Sequence, residues 1–311
     1  MIFLTASAQA IFLHAMIKAS FLLLISILLW GCLSEVAKRD GDNLSAEIDF
    51  PDLKNEAVLE EVLGKAVDDD SLRRRNVSSS VLLMNVDGKR PFSGWVKTLG
   101  VDGGVRRLCM IKSGKRNGPL VAWKANGDKQ SESHYRMGKA HGVFVEWHSE
   151  GVKAWKGLYQ EGLMEGVWSY WHENGQLFSK GNFQKGKRDG TFVEWRDNGR
   201  KAWEGEYRHG KMIGPWSFWH ESGQKLTEGS YVNDRRHGPF TDWWENGNKQ
   251  REAIYEEGKL EGASTEWNED GSKNWEGSYR QGKRHGTFVY FHADGSEKVR
   301  RNFESGVEIR E

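Results

Sequence analysis

The segment that decides the fold runs Gly190-Thr-Phe192-Val-Glu-Trp195-Arg-Asp-Asn198-Gly199-Arg-Lys-Ala-Trp203-Glu-Gly205-Glu-Tyr207-Arg-His-Gly210-Lys-Met-Ile-Gly214. Asn198-Gly199 stands between two runs of aromatic and alternating residues, a pattern typical of a type I′ β-hairpin. Gly210 marks a second turn before the next run begins. The segment therefore predicts one two-stranded antiparallel hairpin.

The same pattern recurs every 24 residues along the chain, which is the signature of a repeat protein. The first glycine of the unit stands at positions 94, 118, 142, 166, 190, 214, 238, 262 and 286, and a second glycine follows nine residues later. Two aromatic series keep the same phase: Trp123, Trp147, Trp171, Trp195, Trp219, Trp243, Trp267 and Phe291, then Tyr135, Tyr159, Phe183, Tyr207, Tyr231, Tyr255, Tyr279 and Phe303.

The turn predicts the register of each hairpin. With Asn198 and Gly199 as the central pair, residues whose numbers sum to 397 face each other. We expect each aromatic ring to cover the bare backbone of the glycine opposite it in the same hairpin. The expected pairs are Phe192 with Gly205, Tyr207 with Gly190, Trp168 with Gly181, Trp216 with Gly229 and Phe144 with Gly157, whereas Ser264 faces Gly277 and Leu120 faces Ser133.

Alternation along the strand places Trp195 on the opposite face from Phe192 and Tyr207, unless a β-bulge reverses it. Rings on both faces suit a sheet that is one layer thick. The predicted fold class is therefore all-β: an elongated single-layer antiparallel ribbon of tandem 24-residue hairpin repeats over residues 94–311, with eight full units and a partial terminal unit. The composition agrees, because 37 Gly, 15 Trp and only 5 Pro in 311 residues favour short strands and tight turns.

A signal segment is predicted to precede the array. Lys18 heads an apolar run that ends at Cys32, as in a secretory signal, and the run is too short to span a bilayer. Residues 1–32 form this predicted signal peptide, with Met16 a better start than Met1. Leu29-Trp30-Gly31-Cys32 resembles a bacterial lipobox, although Trp30 stands where a small residue is usual. The resemblance implies lipid attachment at Cys32; the alternative is an ordinary signal peptide.

Residues 33–50 are polar and without period, and we interpret them as a flexible tether. Residues 51–93 are predicted to form a short helix and a lead-in or cap. Pro51 suits the first turn of that helix. Its predicted role is to cover the first edge of the array with one apolar face, made of Leu53, Leu59, Val62, Leu63, Ala66 and Val67.

The repeat units resemble MORN-type repeats. The closer resemblance is to the variant repeats of bacterial proteins of the YwqK family of antitoxins, and it covers about residues 70–311. It is carried by Gly166-Val-Trp168-Ser-Tyr-Trp171-His-Glu-Asn174-Gly175 and the later Phe183-Gln-Lys-Gly186-Lys187-Arg-Asp-Gly190. In the first unit, residues 94–117, Leu99 and Ile111 replace the two aromatics, so we expect a capping unit. The resemblance implies a hairpin array that binds proteins or membranes.

The residues offer little for catalysis or metal binding. Histidines recur in phase at 148, 172, 220 and 292 and at 141, 237 and 285, but equivalent positions lie about 10 Å apart, too far to share a metal. The recurring Glu146, Glu173, Glu194, Glu221 and Glu245 lack the cleft that acid–base chemistry needs. Cys109 is expected to be a small apolar filler. We predict no enzyme activity, no metal and no cofactor.

The net charge is +1, with 45 Lys and Arg against 44 Asp and Glu, which argues against a general nucleic-acid surface. Four tryptophans that occur in only some units, Trp155, Trp203, Trp244 and Trp275, are the predicted partner contacts. The predicted function is a non-catalytic, membrane-anchored module of the cell envelope that binds or scaffolds an unknown protein or envelope polymer. The alternatives are a cell-wall or glycan-binding module and an antitoxin-like neutraliser of a toxin.

Overall fold

The computed structural model describes residues 51–77 and 80–309. The predicted signal peptide, Met16, Cys32 and the tether at 33–50 lie outside the described residues. One helix, α1 (Glu56–Lys65), precedes the strands, and two short 3₁₀ turns lie at Asp69–Ser71 and Ser149–Gly151.

The described residues contain 24 strands, many of which span a whole side of a predicted hairpin. They are β1 (Val67–Asp68), β2 (Arg73–Val77), β3 (Ser80–Met84), β4 (Gly94–Leu99), β5 (Val105–Lys112), β6 (Lys115–Trp123), β7 (Lys129–Arg136), β8 (Lys139–Ala140), β9 (Gly142–Trp147), β10 (Lys153–Gln160), β11 (Leu163–Trp171), β12 (Leu177–Gln184), β13 (Lys187–Trp195), β14 (Lys201–Arg208), β15 (Lys211–Trp219), β16 (Lys225–Val232), β17 (Arg235–Trp243), β18 (Lys249–Glu256), β19 (Lys259–Trp267), β20 (Lys273–Arg280), β21 (Lys283–Arg284), β22 (Gly286–Phe291), β23 (Glu297–Glu304) and β24 (Val307–Ile309).

Twenty-two of these strands form one sheet, and β2 and β3 form a separate hairpin. From β4 to β24 the strands pair antiparallel in chain order, with β8 and β21 as short segments that precede β9 and β22. The last hairpin, β22–β23, has both of its strands and pairs onward with β24. The predicted all-β array of stacked antiparallel hairpins, preceded by a short helix, is confirmed.

The predicted register is also confirmed. Phe192 pairs with Gly205 and Tyr207 with Gly190 across β13–β14. The other expected pairs are Trp168–Gly181, Trp216–Gly229, Phe144–Gly157, Ser264–Gly277 and Leu120–Ser133.

The turn type predicted at Asn198-Gly199 is wrong. The Gly199 N–H donates to the Arg196 carbonyl at 2.9 Å, and of the turn residues only Gly199 has a positive φ, 78°. Asp197 and Asn198 are thus the central pair of a type I turn, followed by a left-handed glycine, which is the common three-residue hairpin loop. A bulge at Ala202 then restores the predicted pairing. Because the bulge lies on the returning strand, Trp195 keeps its place on the face opposite Phe192.

Type I′ geometry occurs instead at the second turn of each repeat. Lys185 and Gly186 have φ values of 50° and 79° between the paired residues Gln184 and Lys187. The first central residue of this turn is never glycine in the array, yet its φ stays between 48° and 52°. The left-handed conformation is therefore fixed by the ladder on either side of the turn rather than by glycine alone.

We call the space over a strand glycine its socket. The prediction that each socket holds a ring of the same hairpin is wrong, because the ring comes from the next hairpin. A Cβ added to Gly205 would lie 2.1 Å from the Trp216 ring on β15, not against its hairpin partner Phe192. The same holds for Gly157 with Trp168, Gly181 with Phe192, Gly229 with Phe240 and Gly277 with Phe288, at 2.1–2.6 Å. A central strand has two neighbours, and the turn register alone does not say over which of them a ring leans.

Gly190 is not a socket, although it was predicted to be one for Tyr207. A Cβ at this position would have only the Asn182 side chain within 4 Å. Its φ of 102° shows that glycine is needed there for the backbone conformation instead.

The lead-in differs from its predicted role. The helix begins at Glu56, capped by the Asn55 side chain, so Pro51 lies outside its first turn. Its buried Val62 packs with Leu108 and covers a face of the first hairpins rather than their edge. The edge is covered by β1, which pairs in parallel with β4. A turn preceding the helix leaves the Asn55 side chain free to bond the first N–H groups, which is why the helix starts there.

Candidate functional site

The two faces of the sheet differ in packing. We call the face that carries Trp168, Phe192, Trp216 and Phe240 the ring face. Its rings from Tyr159 to Tyr255 form a continuous edge-to-face row, with centroids 5.3 Å apart for Phe183–Phe192 and for Phe192–Tyr207 and 5.1 Å for Tyr207–Trp216. Trp168 is 0% exposed and Phe192 2%. Aromatic pairs of this kind add about 0.5–1.5 kcal/mol each beyond the area they bury. The ring face is therefore the core of the array.

Three of the four predicted contact tryptophans lie on the ring face. Trp203 stacks on Trp216 at 5.3 Å with an interplanar angle of 23°. Trp155 lies 4.6 Å from Phe144, and Trp275 lies 5.5 Å from Phe288. Trp155 and Trp203 stay half-buried. These rings extend the core row in the repeats where they occur, and the two half-buried rings keep part of their surface exposed.

Trp244 lies elsewhere, at the turn end of its hairpin. Its indole N–H donates to the Trp267 carbonyl at 3.1 Å. His148, His172 and His220 occupy the equivalent position and hydrogen-bond through Nε2 to the carbonyls of Trp171, Trp195 and Trp243 at 2.9–3.0 Å. This repeat position therefore links one hairpin to the next in these repeats. Trp244 does not lie on the ring face with Trp155, Trp203 and Trp275.

The opposite face alternates tryptophan and lysine, and we call it the lysine face. Lys201 pairs across the strands with Trp195, and its Nζ lies 5.5 Å from the Trp219 ring centre. Sequence reasoning missed these lysines, although they recur with the 24-residue period. The other members are Lys129 over Trp147, Lys153 over Trp171, Lys225 over Trp243, Lys249 over Trp267 and Lys273 over Phe291, at 5.3–6.0 Å.

Most of these lysines are neutralised by a glutamate three residues later. Lys201 bonds Glu204 at 2.6 Å. The equivalent pairs are Lys129–Glu132, Lys225–Glu228, Lys249–Glu252 and Lys273–Glu276. Exposed ion pairs contribute only about 0–1 kcal/mol each. Their main effect is to leave most of the lysine face without net charge.

One part of the lysine face breaks this rule, and we call it the basic gap: Lys153, Lys156, Ser169 and Lys180. Lys156 and Lys180 occupy the position that is glutamate in most repeats, and both pair across the strands with Ser169. All three lysines are exposed, and none forms an ion pair within residues 51–77 and 80–309. The basic gap is therefore a local excess of positive charge beside the Trp171 ring.

The remaining chemical candidates are dispersed. Cys109 packs with Val96 and Ile111 in the core of the first hairpins, as expected of an apolar filler, and its burial raises the pKa of the thiol. The carboxylates do not form a pair, since Glu194 lies across from Trp203 while Glu173 is exposed beside a turn. No cluster of three metal-ligating side chains occurs in the described part of the chain.

A one-layer sheet of hairpins, most of which pack a ring against a glycine of the hairpin before, defines a β-hairpin repeat protein. The MORN repeat variant family model matches residues 164–185, 212–233 and 236–257, each stretch starting two residues before a repeat glycine. These three stretches are therefore MORN-type repeats, and the same 24-residue pattern continues through the rest of the array. These matches do not address the YwqK-family resemblance, which stays a prediction.

No curated protein matches the sequence. Among solved structures, a mutant of S. aureus TarM in complex with fondaparinux, alpha-GlcNAc-glycerol and UDP aligns at 8% identity and TM-score 0.21, covering 43% of this chain and 24% of that one. TcdB2-TccC3 aligns at 9% identity and TM-score 0.19, covering 72% and 14%. TcdB2-TccC3-Cdc42 aligns at 8% and 0.18, covering 74% and 14%. The chain thus spans a quarter or less of these chains, and scores this low have no bearing on its fold or function.

Proposed function

We propose that the chain is a non-catalytic binding and scaffolding module whose lysine face docks a macromolecular partner with an acidic surface. The observation that carries this proposal is the basic gap. Lys153 lacks the glutamate that neutralises its equivalents in most other repeats, because Lys156 stands at that position, and Lys180 replaces the same glutamate in the next repeat. A hydrogen bond to a charged group is worth about 1.5–3 kcal/mol, so three free ammonium groups favour a partner that supplies carboxylates or phosphates.

The setting we propose is the cell envelope, with the protein exported and held on a membrane through a lipidated Cys32. The support is the sequence from Lys18 to Cys32, which has the order of a signal and lipobox. In the described residues no helix has the length and apolarity to cross a membrane. Multiple acyl chains would anchor the protein stably, since each buried CH₂ contributes about 0.8 kcal/mol. Incorporation of labelled palmitate should be lost in Cys32→Ser, and incorporation that persists would contradict the anchor.

The docking proposal is tested by crosslinking in the native envelope followed by mass spectrometry. The triple variant Lys153→Gln, Lys156→Gln, Lys180→Gln should capture its partner at least about tenfold less than the parent protein. The matched control replaces Lys201, Lys225 and Lys249 with Gln, because these lysines are already paired with glutamates. Equal capture by all three proteins would show that the basic gap does not bind the partner.

A second candidate is binding of a cell-wall glycan, which the repeated tryptophan rings of the lysine face favour because rings stack on sugars. Retention on purified sacculi would support it. An antitoxin-like role is a further alternative that rests on the YwqK-family resemblance, and it predicts a toxic neighbouring gene whose effect this protein suppresses.

A further inference from the structure

A cleft of about 510 Å³ lies between the lead-in hairpin β2–β3 and the ring face of the first hairpins. Val81 and Leu83 of β3 form one wall, and Val96, Cys109 and Ile111 line the opposite side. Its volume falls within the range of about 300–1,000 Å³ that is usual for small-molecule sites.

The cleft exists because the first unit lacks the large rings of the later ones. Val96 takes the place of Phe192, and Ile111 that of Tyr207. The lead-in hairpin spans this part of the ring face, with Leu83 and Phe92 packed against the core there. The space left between them has apolar side chains along part of its lining and an open side.

The cleft is rich in cations. Arg107, Lys115 and Arg116 line it, and none of them forms an ion pair within the part of the chain that the structure describes. The carboxylate in its lining, Asp69, is bonded to Arg74 at 2.7 Å. The excess charge inside the cleft is therefore positive.

Two of these cations are held close to the apolar lining. The Arg116 guanidinium lies 5.3 Å from the centre of the Tyr135 ring, which is itself packed on the core cluster of Cys109. Burial raises the pKa of the Cys109 thiol, and the charges of Arg116 and Arg107 act in the opposite direction. The positive groups and the apolar side chains therefore belong to one site.

We propose that this cleft binds a small amphipathic anion. Its carboxylate or phosphate contacts Arg107, Lys115 and Arg116, and its apolar body lies against Val81, Leu83 and Val96. A charged donor binds an anionic oxygen more strongly than a neutral one, and the apolar walls add the burial of the body. Two sources share this chemistry: a free organic acid, and the terminal carboxylate of a peptide with an apolar last residue. The site is independent of the docking proposed above, because it lies on the ring face.

The test uses calorimetric titration of the full-length chain with octanoate and with N-acetyl-Leu-Leu that has a free carboxylate. Octylamine and the amidated dipeptide are the controls, because each keeps the apolar body of its partner and lacks the negative charge. At least one of the two anions should bind, at least about tenfold more tightly than its control. Binding of octanoate alone identifies a free acid, and binding of the dipeptide identifies a chain end. Failure of both anions, or equal binding of octanoate and octylamine, would overturn the proposal.

Two variants locate the site. Lys115→Gln with Arg116→Gln should weaken binding of the anion at least about tenfold. Lys187→Gln with Arg188→Gln changes the same repeat positions three units later, outside the cleft, and should leave binding unchanged. Arg107→Gln alters an exposed side chain and serves if the double variant does not fold. Equal losses in the cleft variants and in the control would contradict the proposed location.

Labelling of Cys109 gives an independent readout. Because this thiol lines the cleft, a bound anion should slow its alkylation by iodoacetamide at least about threefold, as measured on the Cys109 peptide by mass spectrometry. Octylamine at the same concentration should not protect it. Unchanged labelling at saturating anion would place the binding elsewhere and overturn the assignment.

Discussion

Replacing Trp168 with alanine is expected to lower the free energy of unfolding by about 3–5 kcal/mol. The side chain is 0% exposed, and its ring lies 4.9 Å from Tyr159 and 6.3 Å from Phe183. Its indole N–H also donates to the Leu158 carbonyl at 3.2 Å, so the variant loses a hydrogen bond as well as the packed ring. Urea unfolding followed by circular dichroism measures the loss.

The matched control is Trp195→Ala, on the lysine face. That ring is half-buried and lies outside the core cluster that contains Trp168. Its removal should cost clearly less. Equal losses from the two variants would contradict the assignment of the core to the ring face.

Gly205→Ala is expected to cost about 1–3 kcal/mol, an unusually large effect for the addition of one methyl group. The new Cβ would lie 2.1 Å from the Trp216 ring. That ring has little freedom to move, because it stacks on Trp203 at 5.3 Å and meets Tyr207 at 5.1 Å. The same urea titration reports the change.

Gly64→Ala provides the opposite result in the same protein. A Cβ at Gly64 meets nothing within 4 Å, and alanine is the better helix former by up to about 1 kcal/mol. This variant should be at least as stable as the parent. A Gly205→Ala protein of parental stability would show that the socket does not hold the Trp216 ring.

Much of the fold could be predicted from the sequence because the repeat carries its own register. The asparagine and glycine at 198 and 199 fix where the chain reverses, and the rings at 192 and 207 then fall on one face by alternation. This prediction held even though the turn type was wrong, because the extra residue in the loop is offset by the bulge at Ala202. The longer loop and the bulge each shift the register by one residue in opposite directions, so the pairing of Phe192 with Gly205 is the one predicted.

The contacts between repeats could not be predicted in the same way. The sequence shows that Gly205 faces Phe192, but only the packing shows that Trp216 fills the space above it. The place of the lead-in hairpin could not be predicted either, since nothing in the sequence around Val81 and Leu83 indicates that they lie over the first hairpins. The 24-residue spacing of the lysines can be read from the sequence. Their ion pairs with glutamates, and the absence of those pairs among the described residues at the basic gap, become apparent only when the cross-strand neighbours are known.

In most repeats the residue in the socket position and the residue eleven positions later match in size, although Ser133 is followed by Phe144. Gly205 is followed by Trp216, whereas the larger Ala253 is followed by the small Ser264. In the first unit Cys109 is followed by the aliphatic Leu120 rather than by a ring. If each socket were filled from within its own hairpin, Gly277 would require a ring at its partner position. That partner is Ser264, and the ring over Gly277 is Phe288 of the next hairpin.

The most direct test of ring-to-socket packing between consecutive hairpins is a double-mutant cycle on Ala253 and Ser264, measured by urea unfolding. Ser264→Phe alone should destabilise the protein, because the Ala253 methyl occupies the place of the new ring. Adding Ala253→Gly should recover the loss, with a coupling free energy of about 0.5–3 kcal/mol. If Ser264→Phe is tolerated alone and the two changes are additive, rings pack within their own hairpins and the account is contradicted.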